Sequence, residues 1–254
     1  MNIQGHAALV TGGGSGLGEA TARELARQGA KVAVLDVNLA NAEKVAAEIG
    51  GVACQCDITN TDSLVAALAK ATAAHGPARI LMNIAGIGSA KRVVAKDGNP
   101  APLEDFARVI NVNLIGSYNA SRLFAAECAK LAPLDDGERG VMVFTASVAA
   151  FDGQVGQQAY SASKGGLVGM TLPMARDLAQ HGIRVCTIAP GLFATPLMKQ
   201  LPEPVQASLA ASIPFPPRLG KPEEFAELAA HIVTNGHLNG EVIRLDGALR
   251  MAPR

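Results

Sequence analysis

Short runs of apolar residues recur along the chain, separated by longer stretches in which apolar positions return every three or four residues. The runs fall at 7–10, 32–35, 52–56, 80–84, 141–145, 183–188 and 242–245. Most are continuously apolar rather than alternating, the pattern of strands covered on both faces of a parallel sheet. Helical patterns occupy 16–28, 38–49, 60–75, 104–130, 159–180 and 222–235. Strand and helix in alternation predict an α/β fold, a doubly wound seven-stranded parallel sheet with helices on both faces. Right-handed crossovers in such a sheet place ligands at the carboxyl ends of the strands, where the strand order reverses. No linker-like stretch divides the sequence, which reads as one domain over 1–254.

Three stretches interrupt the alternation. Residues 88–102 carry Lys91, Arg92 and Lys96, and 132–140 are rich in Pro, Asp and Gly. Residues 190–221 hold seven prolines together with Leu192, Phe193, Leu197, Met198, Leu201 and Phe215. A long apolar, Pro-rich segment directly after a strand is expected to cover a substrate, the alternative being a packed surface loop.

Composition narrows the partners. The 254 residues are 49% apolar and formally uncharged, enough to bury a full core and without the basic excess of a nucleic-acid binder. No run reaches the ~18 apolar residues that cross a bilayer, and the first strand begins within a few residues of Met1, with no basic or Arg-rich leader before it. The expectation is a cytoplasmic, soluble protein. Its four cysteines, Cys54, Cys56, Cys128 and Cys186, make no disulfide framework, and the five histidines show no ligand spacing, so no metal is assigned.

The chemistry begins at Thr11-Gly12-Gly13-Gly14-Ser15-Gly16-Leu17-Gly18, which follows the first strand and opens the first helix. Glycines there allow a tight turn and close approach of a pyrophosphate to the helix N-terminus, as in Rossmann dinucleotide sites. Asp36 closes the second strand, where a carboxylate accepts from the adenosine ribose hydroxyls and repels a 2′-phosphate. With Val37 and not an arginine beside it, NAD is expected over NADP. A turn or helix-cap role is the alternative for Asp36. Asp57, followed by Ile58, stands where it can meet the adenine or cap the next helix. Asn83-Ile84-Ala85-Gly86 ends the fourth strand, with a glycine that admits a flat ligand.

A second constellation lies further along. Tyr160 and Lys164 are four apart, on one face of a helix. An ammonium beside a phenol favours the phenolate, which would turn a group that titrates near ~10 into a usable base. Ser147, thirteen residues before Tyr160, ends the fifth strand and can donate to a substrate oxygen. Asn113 lies within the long helical pattern although asparagine competes for backbone bonds, so a kink is one reading of it.

These motifs, together with Pro190-Gly191 and Thr195, resemble the short-chain dehydrogenase/reductase family over essentially the whole chain. Ile84 departs mildly from the family's usual asparagine. The resemblance implies that Tyr160 is the general acid/base and that Lys164 lowers its pKa and holds the nicotinamide ribose. It implies further that Ser147 positions the substrate oxygen and that Asn113 holds a water in a proton relay. Pro190, Gly191 and Thr195 would meet the nicotinamide end. Residues 146–157, 165–173, 188–193 and 238–247 further resemble the type II 3-hydroxyacyl-CoA dehydrogenases, a group that includes the type 10 17β-hydroxysteroid dehydrogenases. That narrower likeness implies a 3-hydroxyacyl-CoA substrate oxidised with NAD, Gln154 on the substrate side, and a homotetramer built through 104–130 and 159–180. Other secondary alcohols, hydroxysteroids among them, and a non-catalytic NAD-binding scaffold are the alternatives. Lys91, Arg92 and Lys96 are candidates to meet CoA phosphates, or form a solvated loop.

Overall fold

The computed structural model describes residues 1–253 and, among them, every side chain except those of Leu197 and Lys199. Arg254, part of the expected domain span, and the Leu197 side chain, counted with the apolar loop, lie outside the described residues. Seven strands form one sheet: β1 (Ala7–Thr11), β2 (Lys31–Asp36), β3 (Val52–Gln55), β4 (Ala78–Asn83), β5 (Gly140–Thr145), β6 (Ile183–Pro190) and β7 (Val242–Leu245). Their order is β3-β2-β1-β4-β5-β6-β7, and every pairing is parallel. The order reverses between β1 and β4. Thr11 pairs in register with Leu35 on one side and Asn83 on the other, so three strands end level at that point.

The helices are α1 (Gly16–Arg27), α2 (Leu39–Ile49), α3 (Thr61–His75), α4 (Leu103–Ile110), α5 (Ser117–Cys128), α6 (Gln158–Leu178), α7 (Pro196–Lys199), α8 (Glu203–Ala211) and α9 (Pro222–Thr234). Two cores sandwich the sheet, and alternate strand residues feed alternate cores. Val141 and Val143 join Leu25, Val45, Phe225 and Ile232 on one face, while Met142 and Phe144 join Leu64, Phe124 and Leu167 on the other. Each such side chain contributes roughly 1.5–3 kcal/mol on burial. Asn38 and Asn60 start α2 and α3 by accepting from the Asn41 and Ser63 N–H groups, which satisfies helix-terminal donors.

Two expected elements differ. The single helix over 104–130 is divided into α4 and α5 by a π-helical turn at Asn111–Gly116. There Asn113 turns inward and spends its amide on another segment. The apolar stretch 190–221 folds into α7 and α8, and Phe193 is buried edge-on to Phe225 with centroids 6.4 Å apart. Phe215 and Leu201 remain exposed. Residues 88–102 form a small hairpin, with Val94 bridging Pro100 and the Lys91 N–H donating to the Gly156 carbonyl at 2.8 Å. All four cysteines are buried and free. Among the described residues no helix is long and apolar enough to cross a membrane.

Candidate active site

A cavity of about 770 Å³ runs along the carboxyl ends of the strands, across the point where their order reverses. At one end it is walled by Asp36, Asp57 and Ile58. In its middle lie Gly12, Ser15, Gly16, Leu17 and Gly18, with Ala85 and Gly86 facing them. At the other end stand Ser147, Tyr160, Lys164, Pro190, Gly191 and Thr195. The level strand ends bring these residues together, because each sits on or just after the last residue of its strand or on the helix that follows.

The glycine turn is shaped by close backbone approach. Gly12 has φ 65°, and a Cβ there would come 2.7 Å from Ala85 Cα. Ser15 is the N-cap of α1 but makes no side-chain cap bond, which leaves the first N–H groups of the helix turned toward the cavity. With the helix dipole behind them, these groups suit an anion. Asp36 Oδ2 accepts from the Gly14 N–H and Oδ1 from the Asn38 N–H, each at 2.9 Å. Asp36 is therefore both the turn residue that braces the glycine loop and an acceptor on the cavity wall. Asp57 is drawn into its own turn, Oδ1 accepting from the Thr59 N–H at 2.9 Å and hydroxyl at 2.7 Å.

Four expected site residues lie behind or beside the cavity and not on its walls. Thr11 is buried, and its hydroxyl accepts from the Ile84 and Ala85 N–H groups, which shapes the turn after β4. Asn83 is also buried and donates to the Ser121 hydroxyl at 3.1 Å. Gln154 donates to the Ala252 carbonyl at 2.9 Å. Asn113 is fully buried. Its Oδ1 accepts from the Ile87 N–H at 2.8 Å, and its Nδ2 donates to the Ile87 carbonyl at 2.9 Å and the Ser163 hydroxyl at 3.0 Å. Both amide hydrogens are thus committed to clamping the segment after β4. Ser163 passes the constraint on by donating to the Tyr160 carbonyl at 2.7 Å.

The Tyr160–Lys164 pair is held at the start of α6. Lys164 is 4% exposed, donates to the Thr145 carbonyl at 2.6 Å, and lies 5.7 Å from the centre of the Tyr160 ring. A Cβ on Gly86 would stand 3.2 Å from Asn113 Oδ1 and 3.4 Å from the Lys164 Nζ, so the turn after β4 packs closely on the lysine. Burial pulls the Lys164 ammonium down to about 8. The phenol shares this burial. Burial pushes Tyr160 up, and only the Ser147 hydroxyl pulls the other way. The Lys164 ammonium is aimed at a strand carbonyl, in the same dry environment that disfavours both charges. Tyr160 as a whole is only half-buried, but its hydroxyl end is deep in the cleft.

Several wall residues carry no motif in the sequence. Cys56, Ile87, Arg108, Asn111, Thr145 and Met198 reach the cavity only because β3, the π turn and α7 converge there. Those at strand ends were accessible to the rule that ligands sit at the carboxyl edge. Arg108 and Asn111 had no such signal.

A doubly wound sheet carrying a glycine turn and a Ser/Tyr/Lys cluster at its switch point defines a class of dinucleotide-dependent oxidoreductases. The chain belongs to the short chain dehydrogenase family, whose model matches residues 6–206. It is 53% identical over 256 residues to the 3-hydroxyacyl-CoA dehydrogenase type-2 of Bos taurus, covering 99% of this chain and 98% of that one. A crystal structure of 3-hydroxyacyl-CoA dehydrogenase type-2 from Mycobacterium avium superposes with a TM-score of 0.95 at 45% identity, covering 98% of both chains. The 3-ketoacyl-(acyl-carrier-protein) reductase of Brucella melitensis, solved in complex with NADH, superposes at 0.87 with 33% identity, covering 98% of this chain and 100% of that one.

Proposed function

We propose that this protein oxidises the secondary alcohol of 3-hydroxyacyl-CoA thioesters to the 3-oxo compounds, reversibly, with NAD. The observation that carries the reading is one cavity with a carboxylate and an open helix N-terminus at one end and Ser147, Tyr160 and Lys164 at the other. The 53% identical relative named for this activity supports the substrate class.

The residues fit the cofactor. Gly12, Gly16 and Gly18 leave room for a pyrophosphate at α1, and Asp36 offers acceptors to ribose hydroxyls while its charge opposes a 2′-phosphate. Ile58, Ala85 and Gly86 would flank the adenosine and its ribose, and Pro190, Gly191 and Thr195 the nicotinamide end. When bound, the nicotinamide takes the hydride from the carbinol carbon, chemistry that side chains cannot supply. Ser147 donates to the substrate oxygen, and its own Oγ is oriented by the Ala149 N–H at 3.1 Å. Tyr160 exchanges a proton with that oxygen, receiving it in oxidation and giving it in reduction. Lys164 supplies the positive charge behind the phenol. Asn113 fixes the segment after β4 against α6.

Lys91 pairs with Asp105 at 3.3 Å and stays exposed, as do Arg92 and Lys96 on the same hairpin. Ile115, Tyr118 and Leu172, apolar and about half exposed on the two helical segments expected to pair, support assembly as a homotetramer, and the four buried thiols suit a reducing cytoplasm. Light scattering tests the tetramer. The function is tested by following absorbance at the NADH band with NAD or NADP and a panel of 3-hydroxyacyl-CoA esters, hydroxysteroids and simple alcohols. Turnover that favours NAD and the thioesters is expected. A preference for NADP, or equal kcat/KM for thioesters and free alcohols, would refute the corresponding half of the reading.

A further inference from the structure

The segment that joins Ser147 to Tyr160 has little structure of its own, a single turn at Val148–Ala150 followed by residues 151–157. A cation from the edge strand holds it. Arg244 of β7 donates from Nη2 to Asp152 Oδ2 at 2.7 Å and to the Leu249 carbonyl at 3.0 Å, and from Nε to Asp246 Oδ2 at 2.7 Å. Its guanidinium also lies 5.1 Å from the centre of the Phe151 ring. The three charged side chains are 21%, 20% and 7% exposed for Arg244, Asp152 and Asp246, so water screens them less than an ordinary surface pair. Asp246, whose Oδ2 also accepts from Arg250 at 3.2 Å, in turn packs against Gly191 of the cavity wall. A Cβ at Gly191 would meet Asp246 Cβ at 2.9 Å, and the Gly191 N–H donates to the Leu245 carbonyl at 2.9 Å.

We propose that Arg244 is a positioning residue for the reaction, setting the spacing between segment 151–157 and the cavity wall at Gly191. Through Asp152 it holds the connection between Ser147 and Tyr160, and through Asp246 it refers that connection to β7 and Gly191. A planar guanidinium can serve both carboxylates at fixed angles, which a lysine cannot. The consequence is catalytic because a misplacement of about 1 Å can cost on the order of a hundredfold in rate. The inference rests on the proposed dehydrogenase reading of the same site.

Two readouts test it. Hydrogen exchange over 151–157 reports the segment directly, Val155 being a useful probe because its N–H donates to the Pro253 carbonyl at 3.1 Å. Kinetics with the alcohol that the wild type oxidises fastest report its use. Arg244→Gln and Asp152→Ala are expected to speed exchange there, to raise the alcohol KM about tenfold and to lower kcat, with NADH affinity by fluorescence titration changed less than about twofold. Asp152→Glu should restore most of the loss and Arg244→Lys little of it. Unchanged exchange would overturn the proposal. So would faster exchange with wild-type KM and kcat, the mark of a merely structural tie, or NADH affinity lost in step with the alcohol. A wild type inactive on every alcohol would refute the dehydrogenase reading alone, and the exchange arm would still decide whether Arg244 holds the segment.

Discussion

A buried cation lies at each end of the sheet, Arg184 on β6 and Lys164 on α6, and the two are treated oppositely. At the amino end, Arg184 is saturated. Its Nε donates to Glu138 Oε1, its Nη1 to the Ile232 and Leu238 carbonyls and its Nη2 to the Val233 carbonyl, all at 2.8 Å. It caps the last turn of α9, where carbonyls lack intrahelical partners. At the carboxyl end, Lys164 donates to the Thr145 carbonyl, has no carboxylate partner among the described residues, and is held down to about 8 by burial. A saturated charge serves the fold. A charge buried with donors to spare costs stability and is worth having only where something else uses it, which is why such groups cluster at functional sites.

The largest expected effect lies on the under-satisfied side. Tyr160→Phe should lower turnover by roughly 10²–10⁴ while NADH still binds, as fluorescence titration would show. Retained turnover would remove the acid/base role. For the intact enzyme, oxidation should speed up as pH rises, because burial holds the phenol in its acid form and it must lose a proton before it can take one, while reduction should slow. A pH profile that rises for both directions would break this assignment.

Next comes the saturated side. Arg184→Met leaves the Ile232, Val233 and Leu238 carbonyls without their donor and Glu138 with the Met1 ammonium alone, and should cost about 3 kcal/mol in urea unfolding with near-wild-type kcat in the folded fraction. Lys164→Met should do the reverse, losing activity yet unfolding no more easily than the wild type at pH 7. The sign follows from linkage. Between about 8 and the unfolded value of 10.5, the unfolded chain holds a proton on Lys164 that the folded chain has released. Wild-type stability therefore rises with pH across that window relative to Lys164→Met, by at most about 3 kcal/mol. A constant difference between the two proteins would mean that the lysine is not buried as a cation. The smallest effect is expected at Asp36→Ala. Losing acceptors for the ribose should raise the KM for NAD roughly ten- to a hundredfold and narrow the preference over NADP.

Much of this was legible beforehand, and the pattern of successes is physical. Continuous apolar runs reported the strands, because a parallel sheet buried on both faces leaves no polar alternation to obscure them. The glycine turn and the Tyr160–Lys164 spacing were legible because each acts within a few residues. The inward direction of the Thr11 and Asn83 side chains was not legible: being next to the glycine turn or a strand end in sequence does not tell which face of the strand a side chain takes. Asn113 was visible as an oddity in a helix, but its partner Ile87 is 26 residues away and unmarked. The Asp152–Arg244 pair spans 92 residues, and nothing local distinguishes it from solvated charges.

By itself, then, the sequence determined the order of strands and helices, the glycine turn, and the presence of an acid/base pair on one helical face, since all of these depend on short-range periodicity and backbone freedom. Only the tertiary structure decided which cation is spent on the fold and which is kept in reserve, how deeply Lys164 and the phenol are buried, and that Arg244 pairs with both Asp152 and Asp246. Those outcomes depend on desolvation and on partners far apart along the chain, and both are properties of packing.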